Sequence, residues 1–423
     1  MATCFTSDKS TIAEQGTPAA ATPAVPLEDI EIALLTGGLD KPYAFGIAMQ
    51  LLSRNVGIDF IGSDDIDSPE LHTSPKLRFL NFRGNPQAYR GLLGKAVRTV
   101  RYYAQLLRYA ADAKPRVFHI LWNNKPEFFD RTILTLYYKL LGKKVVFTAH
   151  NVNAGKRDGK DTFFNRLGLR IEYHLVDHIF VHTETMKAEL LGDFGIPEER
   201  VTIIPFGINN SVPDTDLTPA DAKRRLGIRD DEQTILFFGN IRPYKGLEYL
   251  VGAFQRVAAA HPDYRLIIAG ESKRGSDQYM AEIQQRIAAD PSRGRILQKI
   301  EYVPDEETEL YFKAADVVVL PYTHIFQSGV LFLGYSFGSP VIVSDVGSMK
   351  EDVIEGQTGF LAKPCDEADL AKVIEKYFDS DLFRSLERRR QEIRDYANQK
   401  HSWDIVGQKT RRVYLQLLGK EVS

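Results

Sequence analysis

Short apolar runs alternate with helical patterns along most of this chain, and the alternation restricts the fold more than any other feature of the sequence. Runs such as Ile30–Leu35 and Val341–Val343 are rich in β-branched residues and are followed by small or polar residues. Continuously apolar runs of this length are typical of parallel strands that helices cover on both faces. Strands that alternate with helices fold into doubly wound parallel sheets. The sequence therefore predicts an α/β protein.

The chain is long enough for two such domains. At about 150 residues per domain, 423 residues correspond to two or three domains, and two are the simplest fit. A polar stretch with Pro213 and Pro219 interrupts the alternation and marks a boundary. The start of the chain is rich in Ala, Thr and Pro and lacks the pattern of a signal peptide. We predict a disordered extension over 1–27, a first α/β domain over 28–212, a second over 213–400 and a closing helical segment over 401–423.

Composition argues against several classes of protein. The formal net charge of -2 and the pI of about 6.5 give no support for a nucleic-acid partner. Cys4 and Cys365 are the only cysteines, so we expect no disulfide framework and no thiolate metal site, which suits the cytoplasm. No apolar run approaches the roughly 20 residues that span a bilayer. No zinc spacing, Walker loop or Ser-His-Asp order is visible, and we expect neither a metal nor another cofactor.

The stretch from Leu320 to Asp345 has the order expected of an anion site. A buried strand ends at Leu320, a loop follows, and Gln327-Ser328-Gly329 begins a helix. Ser328 is a plausible N-cap, and Gly329 lets a ligand approach the backbone. Unpaired N–H groups and the helix dipole at such a start attract negative charge. Many α/β proteins have a loop of this kind with no ligand, so the pattern alone leaves both interpretations open.

Two cations follow the first strand of the second series. Arg242 and Lys245 lie between Gly239 and Gly246, directly after the predicted strand Thr234–Gly239. They could neutralise a phosphorylated ligand, or they could be solvated loop cations.

The first half places polar residues at strand ends. Thr36-Gly37-Gly38 follows one predicted strand, Trp122 and Asn123 end another, and His150 and Asn151 end a third. Open α/β sheets bind ligands at the carboxyl ends of their strands, so His150 is predicted to be functional. His119 falls in mid-strand, and we predict a hydrogen-bonded core histidine.

The segment 90–111 predicts a basic amphipathic helix. Apolar residues fall on one stripe and arginines on the other side. We favour a helix packed on the sheet with a solvated basic face. The alternative is peripheral contact with an anionic membrane surface. The predicted stripe contains Leu93, Ala96, Val97, Val100, Ala104, Leu107 and Ala111.

Several segments of the second half belong together. They read FFGNIRPYKGLEYLVGAF, AGES, YFKAADVVVLPY and SGVLFLGYSFGSPVIVSDVGSMKEDVIEGQTGFL. This combination resembles the retaining nucleotide-sugar glycosyltransferases of family four, which have the GT-B fold. The first half is similar at TAHN around His150 and at IIPFGIN. The SWD segment at Trp403 resembles the start of the final helix, which crosses back to the first domain in that fold.

The resemblance implies a UDP- or GDP-sugar donor held by the second domain and a sugar or lipid-linked sugar acceptor held by the first. It implies catalytic roles for Lys245, Arg242 and His150. Lys245 matches the diphosphate-binding lysine, and His150 matches a histidine near the transferred sugar. The family's partner arginine is Asn240 here, and Arg242 substitutes for it. Acceptor contacts are implied for Trp122, Asn123 and Asn151. The donor contacts implied are Gly37, Gly38, Gly239, Asn240, Tyr302, Val303, Gln327, Ser328, Gly329 and Val330.

One departure from the family concerns its paired glutamates. Phe326 and Gly334 stand at the aligned positions, and neither supplies a carboxylate. Gln327, Tyr335 and Glu351 are candidates to replace them. We expect a retaining, metal-independent transferase of surface polysaccharide or glycoconjugate synthesis, cytoplasmic or peripheral on the inner face of the membrane. A non-catalytic nucleotide-sugar-binding protein and a nucleotide-sugar epimerase are the alternatives.

Overall fold

The structure is a computed structural model that describes residues 30–38, 40–85, 91–208 and 212–421, except the side chain of Leu92. The predicted extension over 1–27 and Arg90 lie outside these residues. The described strands are β1 Ile30–Leu35, β2 Val56–Gly62, β3 Leu77–Asn81, β4 Val117–Ile120, β5 Lys144–Thr148, β6 His178–Val181, β7 Val201–Ile203, β8 Gln233–Phe238, β9 Tyr264–Ala269, β10 Ile296–Lys299, β11 Val317–Leu320, β12 Val341–Ser344 and β13 Gly359–Ala362.

Helices connect these strands. The described ones are α1 Lys41–Ser53, α2 Gly91–Asp112, α3 Glu127–Phe129, a π-helical turn Asp130–Leu134, α4 Thr135–Leu140, α5 Ala154–Arg157, α6 Phe163–Leu175, α7 Glu184–Phe194, α8 Pro219–Arg225, α9 Leu247–Ala260, α10 Asp277–Ala288, α11 Asp305–Ala314, α12 Gly329–Ser336, α13 Glu367–Phe378, α14 Asp381–Arg384, α15 Leu386–Lys400 and α16 Trp403–Leu418.

Two parallel sheets with the same strand order confirm the predicted fold class. Among the described residues, the first sheet has the order β3-β2-β1-β4-β5-β6-β7 and the second has β10-β9-β8-β11-β12-β13. All the strand pairs within them are parallel. In both sheets the order reverses beside the first strand of the unit. Such a reversal opens a crevice at the carboxyl ends of the strands.

Alternate residues of the first sheet point into two different cores. Ala33 and Leu35 belong to the core cluster on one face, whereas Ile32 and Leu34 belong to the cluster on the other. Because both faces are covered, β1 is apolar at nearly every position, which is the pattern that predicted it.

His119 lies inside this sheet, and the prediction of a core histidine is confirmed. Its side chain is fully buried in β4. Nδ1 lies 2.5 Å from the hydroxyl oxygen of Tyr414, and Nε2 lies 2.7 Å from Oγ1 of Thr148. Both ring nitrogens therefore have partners, as buried polar groups require.

The predicted buried stripe of α2 is wrong along the helix, because Leu107 is the only one of its seven residues that is even half-buried. Leu93, Val97 and Val100 are 83%, 56% and 69% exposed. The buried positions are instead Tyr102, Leu106 and Ala110, which recur every four residues on another face. The helix therefore presents apolar side chains to solvent where sequence analysis predicted packing on the sheet.

Two tyrosines of α2 account for this rotation. The hydroxyl of Tyr103 donates to Oδ1 of Asp130 at 2.6 Å, and the hydroxyl of Tyr109 donates to Oδ2 of Asp59 at 2.6 Å. Hydrogen bonds to charged groups contribute about 1.5–3 kcal/mol each. The stripe used for the prediction omitted the tyrosines, although their rings and hydroxyls decide which face packs inward.

Helix α16 returns to the first domain, as the predicted fold requires. It packs along α1 and also reaches β4 through Tyr414. The guanidinium of Arg54 donates to Asp404 at 2.6 Å, and Nε1 of Trp403 donates to the carbonyl of Ile208 at 2.8 Å. The crossing helix thus joins the chain of the second domain to the core of the first.

Trp403 fits against α1 because Gly46 has no side chain. A Cβ at Gly46 would lie 2.3 Å from Cζ2 of Trp403, well inside contact distance. Glycine in a helix otherwise costs about 0.5–1 kcal/mol relative to alanine. The glycine is therefore retained for the close approach of Trp403.

Gly46→Ala and Gly192→Ala should change stability in opposite directions. A Cβ at Gly192 in α7 would meet no atom within 4 Å, so we expect alanine there to raise the free energy of unfolding by up to about 1 kcal/mol. At Gly46 the clash should lower it by about 1–3 kcal/mol. Urea titrations of both variants measure the two changes, and a stabilised Gly46→Ala variant would contradict the described packing of Trp403.

Candidate active site

A cleft of about 690 Å³ lies between the two domains, and loops that follow strands of both sheets contribute to its walls. Helix α1 and the segment around Phe206 form the first-domain wall. Loops after β8 and β11 form the other. Six residues that sequence analysis assigned to the donor site line it together: Asn240, Lys245, Gln327, Ser328, Gly329 and Val330.

Lys245 is the positive charge of this cleft. It ends a short 3₁₀ turn, Pro243–Lys245, and is only 7% exposed. Its Nζ lies 5.1 Å from the ring centre of Tyr322, and no carboxylate of the described residues comes within 4.0 Å of it. Its ammonium group is not among the buried atoms that lack a partner, and it faces the cleft. An anionic ligand in the cleft would supply the missing charge.

Glycines on both sides of the turn bring Lys245 to the wall. Gly246 has a φ of 64°, and a Cβ there would lie 2.0 Å from the carbonyl oxygen of Pro321. A Cβ at Gly239 would lie 3.4 Å from Nζ of Lys245 and 3.2 Å from Cγ2 of Val330. The glycines therefore allow the β8 loop to pack directly against the β11 loop.

The start of α12 faces the same cleft. Ser328 occupies the N-cap position, as predicted, but its side chain does not cap the helix. Its Oγ lies 3.1 Å from the hydroxyl of Tyr322 instead. The first amides of α12 therefore have no side-chain acceptor, and a bound anion could accept from them.

Gln327 is held by a buried carboxylate behind the cleft. Its Nε2 donates to Oδ2 of Asp352 at 3.1 Å. Burial raises the pKa of Asp352 to about 6, although the nearby ammonium of Lys400 acts in the opposite direction. Asp352 was missed by sequence analysis because no local pattern marks a residue that acts through a partner 25 positions away.

The positions of the missing glutamates do not offer a site for a carboxylate. Phe326 packs against the core of the first domain, and a Cβ at Gly334 would point at Val318 of the sheet. Leu333 is the α12 residue that lines the cleft at this level. Two suggested replacements do not line the cleft either. The buried hydroxyl of Tyr335 bonds to the carbonyl of Asp352 and to Thr358, and Glu351 accepts from amides at the start of α7.

His150 takes part in a directional chain of hydrogen bonds. Nδ1 of His182 lies 3.2 Å from the carbonyl oxygen of Ile204, so this nitrogen must carry the proton. Nε2 of His182 is then an acceptor, and Nδ1 of His150, 2.9 Å away, must donate to it. Burial lowers the pKa of His182 to about 4 and that of His150 well below its usual value. His150 is therefore neutral, with an unprotonated Nε2.

Aromatic rings fix the plane of His150. Trp122 stacks on it with ring centres 4.3 Å apart, and Tyr43 contacts its edge at 4.6 Å. Tyr43 also lines the cleft. His182 and Tyr43 were missed by sequence analysis, although His182 directly follows β6 and a position at the carboxyl end of a strand was a usable signal.

Asn123 is held by a buried acid. Its Nδ2 donates to Oε1 of Glu172 at 2.7 Å, and Glu172 is fully buried in α6. Burial raises the pKa of Glu172 to about 7, against the opposing charge of Arg131. The amide of Asn123 is thus oriented from behind the sheet edge.

Other residues predicted for the site lie apart from the cleft lining. Arg242 is exposed on the same loop as Lys245, and Tyr302 is 67% exposed. Val303 is part of the second-domain core. Gly37 and Gly38 form a turn with positive φ between Trp122 and Arg83, and Asn151 follows His150 in the loop after β5.

Comparisons with known proteins agree with this geometry. Residues 43–212 match the family model described as Glycosyltransferase Family 4, and residues 220–400 match the one described as Glycosyl transferases group 1. The two models together span most of both α/β units. The chain belongs to the GT-B glycosyltransferases.

Individual glycosyltransferases share moderate identity with this one. It is 27% identical over 246 residues to the uncharacterized glycosyltransferase MJ1607 of Methanocaldococcus jannaschii, a match that covers 56% of this chain and 60% of that protein. It is 25% identical over 368 residues to D-inositol 3-phosphate glycosyltransferase of Acidothermus cellulolyticus, covering 83% and 80%. The solved structure of Anabaena HepE with UDP-glucose superposes with a TM-score of 0.69 at 16% identity, covering 92% and 100%.

Two further observations concern the described part of this glycosyltransferase. It contains no group of three or more His, Cys, Asp or Glu side chains placed to hold a metal ion. None of its described helices has the length and apolar content needed to cross a membrane.

The buried histidines predict loss of stability in acid. Burial lowers the pKa of His119 and His401 to about 3 and of His178 and His182 to about 4. The unfolded chain therefore binds more protons below pH 6.5, and each histidine should lower the free energy of unfolding by up to about 1.4 kcal/mol per pH unit.

Denaturant titrations at pH 7, 6 and 5 test this. Glu172 and Asp352 act in the opposite direction, because acids with raised pKa values favour the folded state as the pH falls. Burial also raises the pKa of Asp40, Asp130 and Glu248. The histidines of the unfolded chain take up protons across this whole pH range, whereas unfolded carboxyl groups do so mainly below it, so we expect a net decrease. A free energy of unfolding that rose toward pH 5 would show that these acids dominate.

Proposed function

We propose that this glycosyltransferase transfers a sugar from a UDP- or GDP-sugar to an acceptor hydroxyl with retention of anomeric configuration. The observation that carries the proposal is the buried, unpaired Lys245 beside the uncapped start of α12 in the cleft. Both features favour an anion at one place. A nucleoside diphosphate leaving group presents such an anion.

Lys245 and the first amides of α12 would stabilise the charge that develops on the diphosphate as the glycosidic bond breaks. Electrostatic stabilisation by donors already in place is often the largest single contribution to catalysis. We propose that Arg242, on the same loop, assists when the donor is bound. With this positive charge supplied by the protein, the proposed mechanism needs no metal ion.

His150 does not line the cleft, and its Nε2 is buried without a partner among the described residues. We propose that this nitrogen accepts a hydrogen bond from a hydroxyl of the transferred sugar in the donor-bound state. The chain from Ile204 through His182 leaves Nε2 of His150 as an acceptor. Trp122 and Tyr43 hold the ring in one plane. An acceptor of fixed direction orients the sugar, and orientation of reacting groups lowers the barrier to reaction.

Contacts between the domains would keep water from the reacting bond. Oγ1 of Thr183 lies 2.7 Å from Oγ of Ser348, and Glu351 accepts from the amides of Glu184 and Thr185. Exclusion of water limits wasteful hydrolysis of the donor. We propose that the acceptor enters from the first-domain side, near Trp122, Asn123 and Asn151.

Lys245→Ala should lower kcat at least about 100-fold with little effect on folding. The substitution removes a charge aimed at the leaving group and breaks no ion pair of the described residues. Sugar transfer from a panel of UDP- and GDP-sugars measures the effect. Lys363→Ala, at a second-domain lysine whose side chain is 75% exposed, is the matched control and should keep normal turnover. Near-normal transfer by Lys245→Ala would contradict the assignment.

The configuration of the product tests the proposed reaction directly. We expect the anomeric proton signals of the product to show the configuration of the donor. Tight donor binding without transfer or hydrolysis would instead indicate a non-catalytic binding protein. The absence of carboxylates at Phe326 and Gly334 favours that alternative. Conversion of the donor sugar without an acceptor would indicate an epimerase.

We also propose peripheral contact of α2 with an anionic membrane at the inner face, where a lipid-linked acceptor would lie. The exposed side chains of Leu93, Val97 and Val100 share this helix with Lys95 and Arg101, which combine apolar insertion with attraction to acidic lipid. The proposed product would then belong to a surface polysaccharide or glycoconjugate.

Val97→Asp/Val100→Asp should abolish cosedimentation with vesicles that contain phosphatidylglycerol. The two carboxylates oppose both apolar insertion and electrostatic attraction. The control is Glu306→Asp/Glu307→Asp on α11 of the second domain, which leaves α2 unchanged. Equal binding of the wild type to neutral and anionic vesicles, or no binding to either, would contradict this contact.

A further inference from the structure

A second, smaller cavity lies at the carboxyl edge of the first sheet. Its volume is about 190 Å³, below the roughly 300–1,000 Å³ typical of sites for whole drug-sized ligands. It is therefore suited to one group of a larger molecule. Residues that follow β1, β2, β3 and β4 meet here with the first half of α2; those used below are Gly38, Asp65, Arg83, Arg98, Tyr102 and Lys125.

The cavity carries a surplus of positive charge. Arg83, Arg98 and Lys125 line it, and Asp65 is the one carboxylate among its lining residues. Within the described part of the chain, no carboxylate comes within 4.0 Å of any of the three cations. A small concave site with three cations and one acid attracts an anion.

Arg83 is held in place before any ligand arrives. Its guanidinium lies 4.8 Å from the ring centre of Tyr102, a cation–π contact with a buried ring. A Cβ at Gly38 would lie 3.0 Å from its NH1, so the glycine turn leaves the space that the guanidinium occupies. Arginine offers a planar pair of N–H donors that matches phosphate oxygens.

Asp130, a buried carboxylate behind the cavity, already accepts from other donors. Asp130 accepts from the hydroxyl of Tyr103 at 2.6 Å and from the backbone N–H and Nδ2 of Asn124 at 2.7 and 2.5 Å. Arg83 is attracted by the charge of Asp130 and interacts with the hydroxyl of Tyr102, but among the described residues it forms no ion pair within 4.0 Å, and its side chain lines the cavity.

The position of the cavity relates it to the proposed reaction. A Cβ at Gly37 would lie 2.7 Å from the carbonyl oxygen of Trp122, and the next residue of the turn, Gly38, contacts Arg83. Trp122 stacks on His150. One tight turn thus separates the cavity from the ring that we assign to the transferred sugar. A molecule anchored by a charged group in the cavity could extend its hydroxyl toward His150.

We infer that this cavity binds a phosphoryl group of the acceptor, so that the acceptor of this enzyme is a phosphorylated molecule. The inference rests on the proposed function for the identity of the ligand as acceptor, but binding of the anion itself does not depend on it. The phosphoryl group can belong to a soluble sugar phosphate or to a phosphorylated lipid carrier, and both sources present the same chemistry to Arg83 and Arg98.

Equilibrium dialysis with radiolabelled inorganic phosphate tests the site. Two controls prevent labelled phosphate from binding at the proposed donor site. One is the addition of saturating UDP, and the other is the use of the Lys245→Ala variant as background. We expect saturable binding by the wild type and affinities about tenfold lower for Arg83→Gln and Arg98→Gln. Arg101→Gln is the matched control, because it removes the same charge from an exposed position of the same helix that does not line the cavity. Absence of saturable binding, or an equal loss in Arg101→Gln, would overturn the site.

Competition against the labelled phosphate identifies the source of the group. Glucose 6-phosphate is compared with glucose, and farnesyl diphosphate with farnesol. We expect one phosphorylated compound to compete at least about tenfold better than inorganic phosphate, while its unphosphorylated partner does not compete. If neither exceeds inorganic phosphate, the cavity is an inorganic anion site only, and the assignment to the acceptor is overturned.

Hydrolysis of UDP- and GDP-sugars by the same variants separates this inference from the proposed function. Arg83→Gln and Arg98→Gln should retain the wild-type rate of donor hydrolysis, and Lys245→Ala should lose it. If the wild-type enzyme neither hydrolyses a donor nor transfers its sugar to any acceptor, the proposed function fails while the phosphate measurements still stand. If hydrolysis falls in Arg98→Gln as much as in Lys245→Ala, the cavity is part of the donor site and the inference fails.

Discussion

The packing of α16 against α1 is the contact on which the arrangement of the two domains depends. Trp403 fills the space that Gly46 leaves open, and its indole donates to the carbonyl of Ile208 where the chain leaves the first domain. The same indole ring lines the cleft. A packing contact that connects the domains therefore also forms part of the binding surface, and the position of Lys245 relative to His150 follows from it.

Local patterns were sufficient to predict the strands other than β13, Gly359–Ala362, and the turns that hold the phosphate-binding candidates. The central strands are buried on both faces, so their continuously apolar composition identifies them. Lys245 and Ser328 lie in the loops that follow two of them, β8 and β11. These residues do meet in one cleft. Residues that act through distant partners could not be predicted in this way. Asp352 orients Gln327, and Glu172 orients Asn123. The partners are 25 and 49 positions apart, so no local sequence pattern connects them.

The error in α2 has a similar physical origin. A stripe of aliphatic residues predicted the buried face, yet the helix turns its tyrosines inward, where their hydroxyls reach Asp59 and Asp130. The partners of those hydroxyls lie on other elements, so the helix sequence alone could not reveal them. The rotation leaves Arg98 at the cavity and Val97 at the surface. One helix thereby contributes to two surfaces of the first domain.

The hydrogen bond between His119 and Tyr414 bears on how the protein is made. His119 lies in the middle of the first sheet, and its partner is carried by α16, 295 positions later in the chain. During synthesis the first domain emerges from the ribosome long before that helix exists. Its central histidine and the groove beside α1 therefore lack their partners until the second domain and α16 have been translated. The first domain is thus the first to be synthesised and the last to be completed. Until α16 arrives, it exposes an apolar surface that a chaperone could recognise.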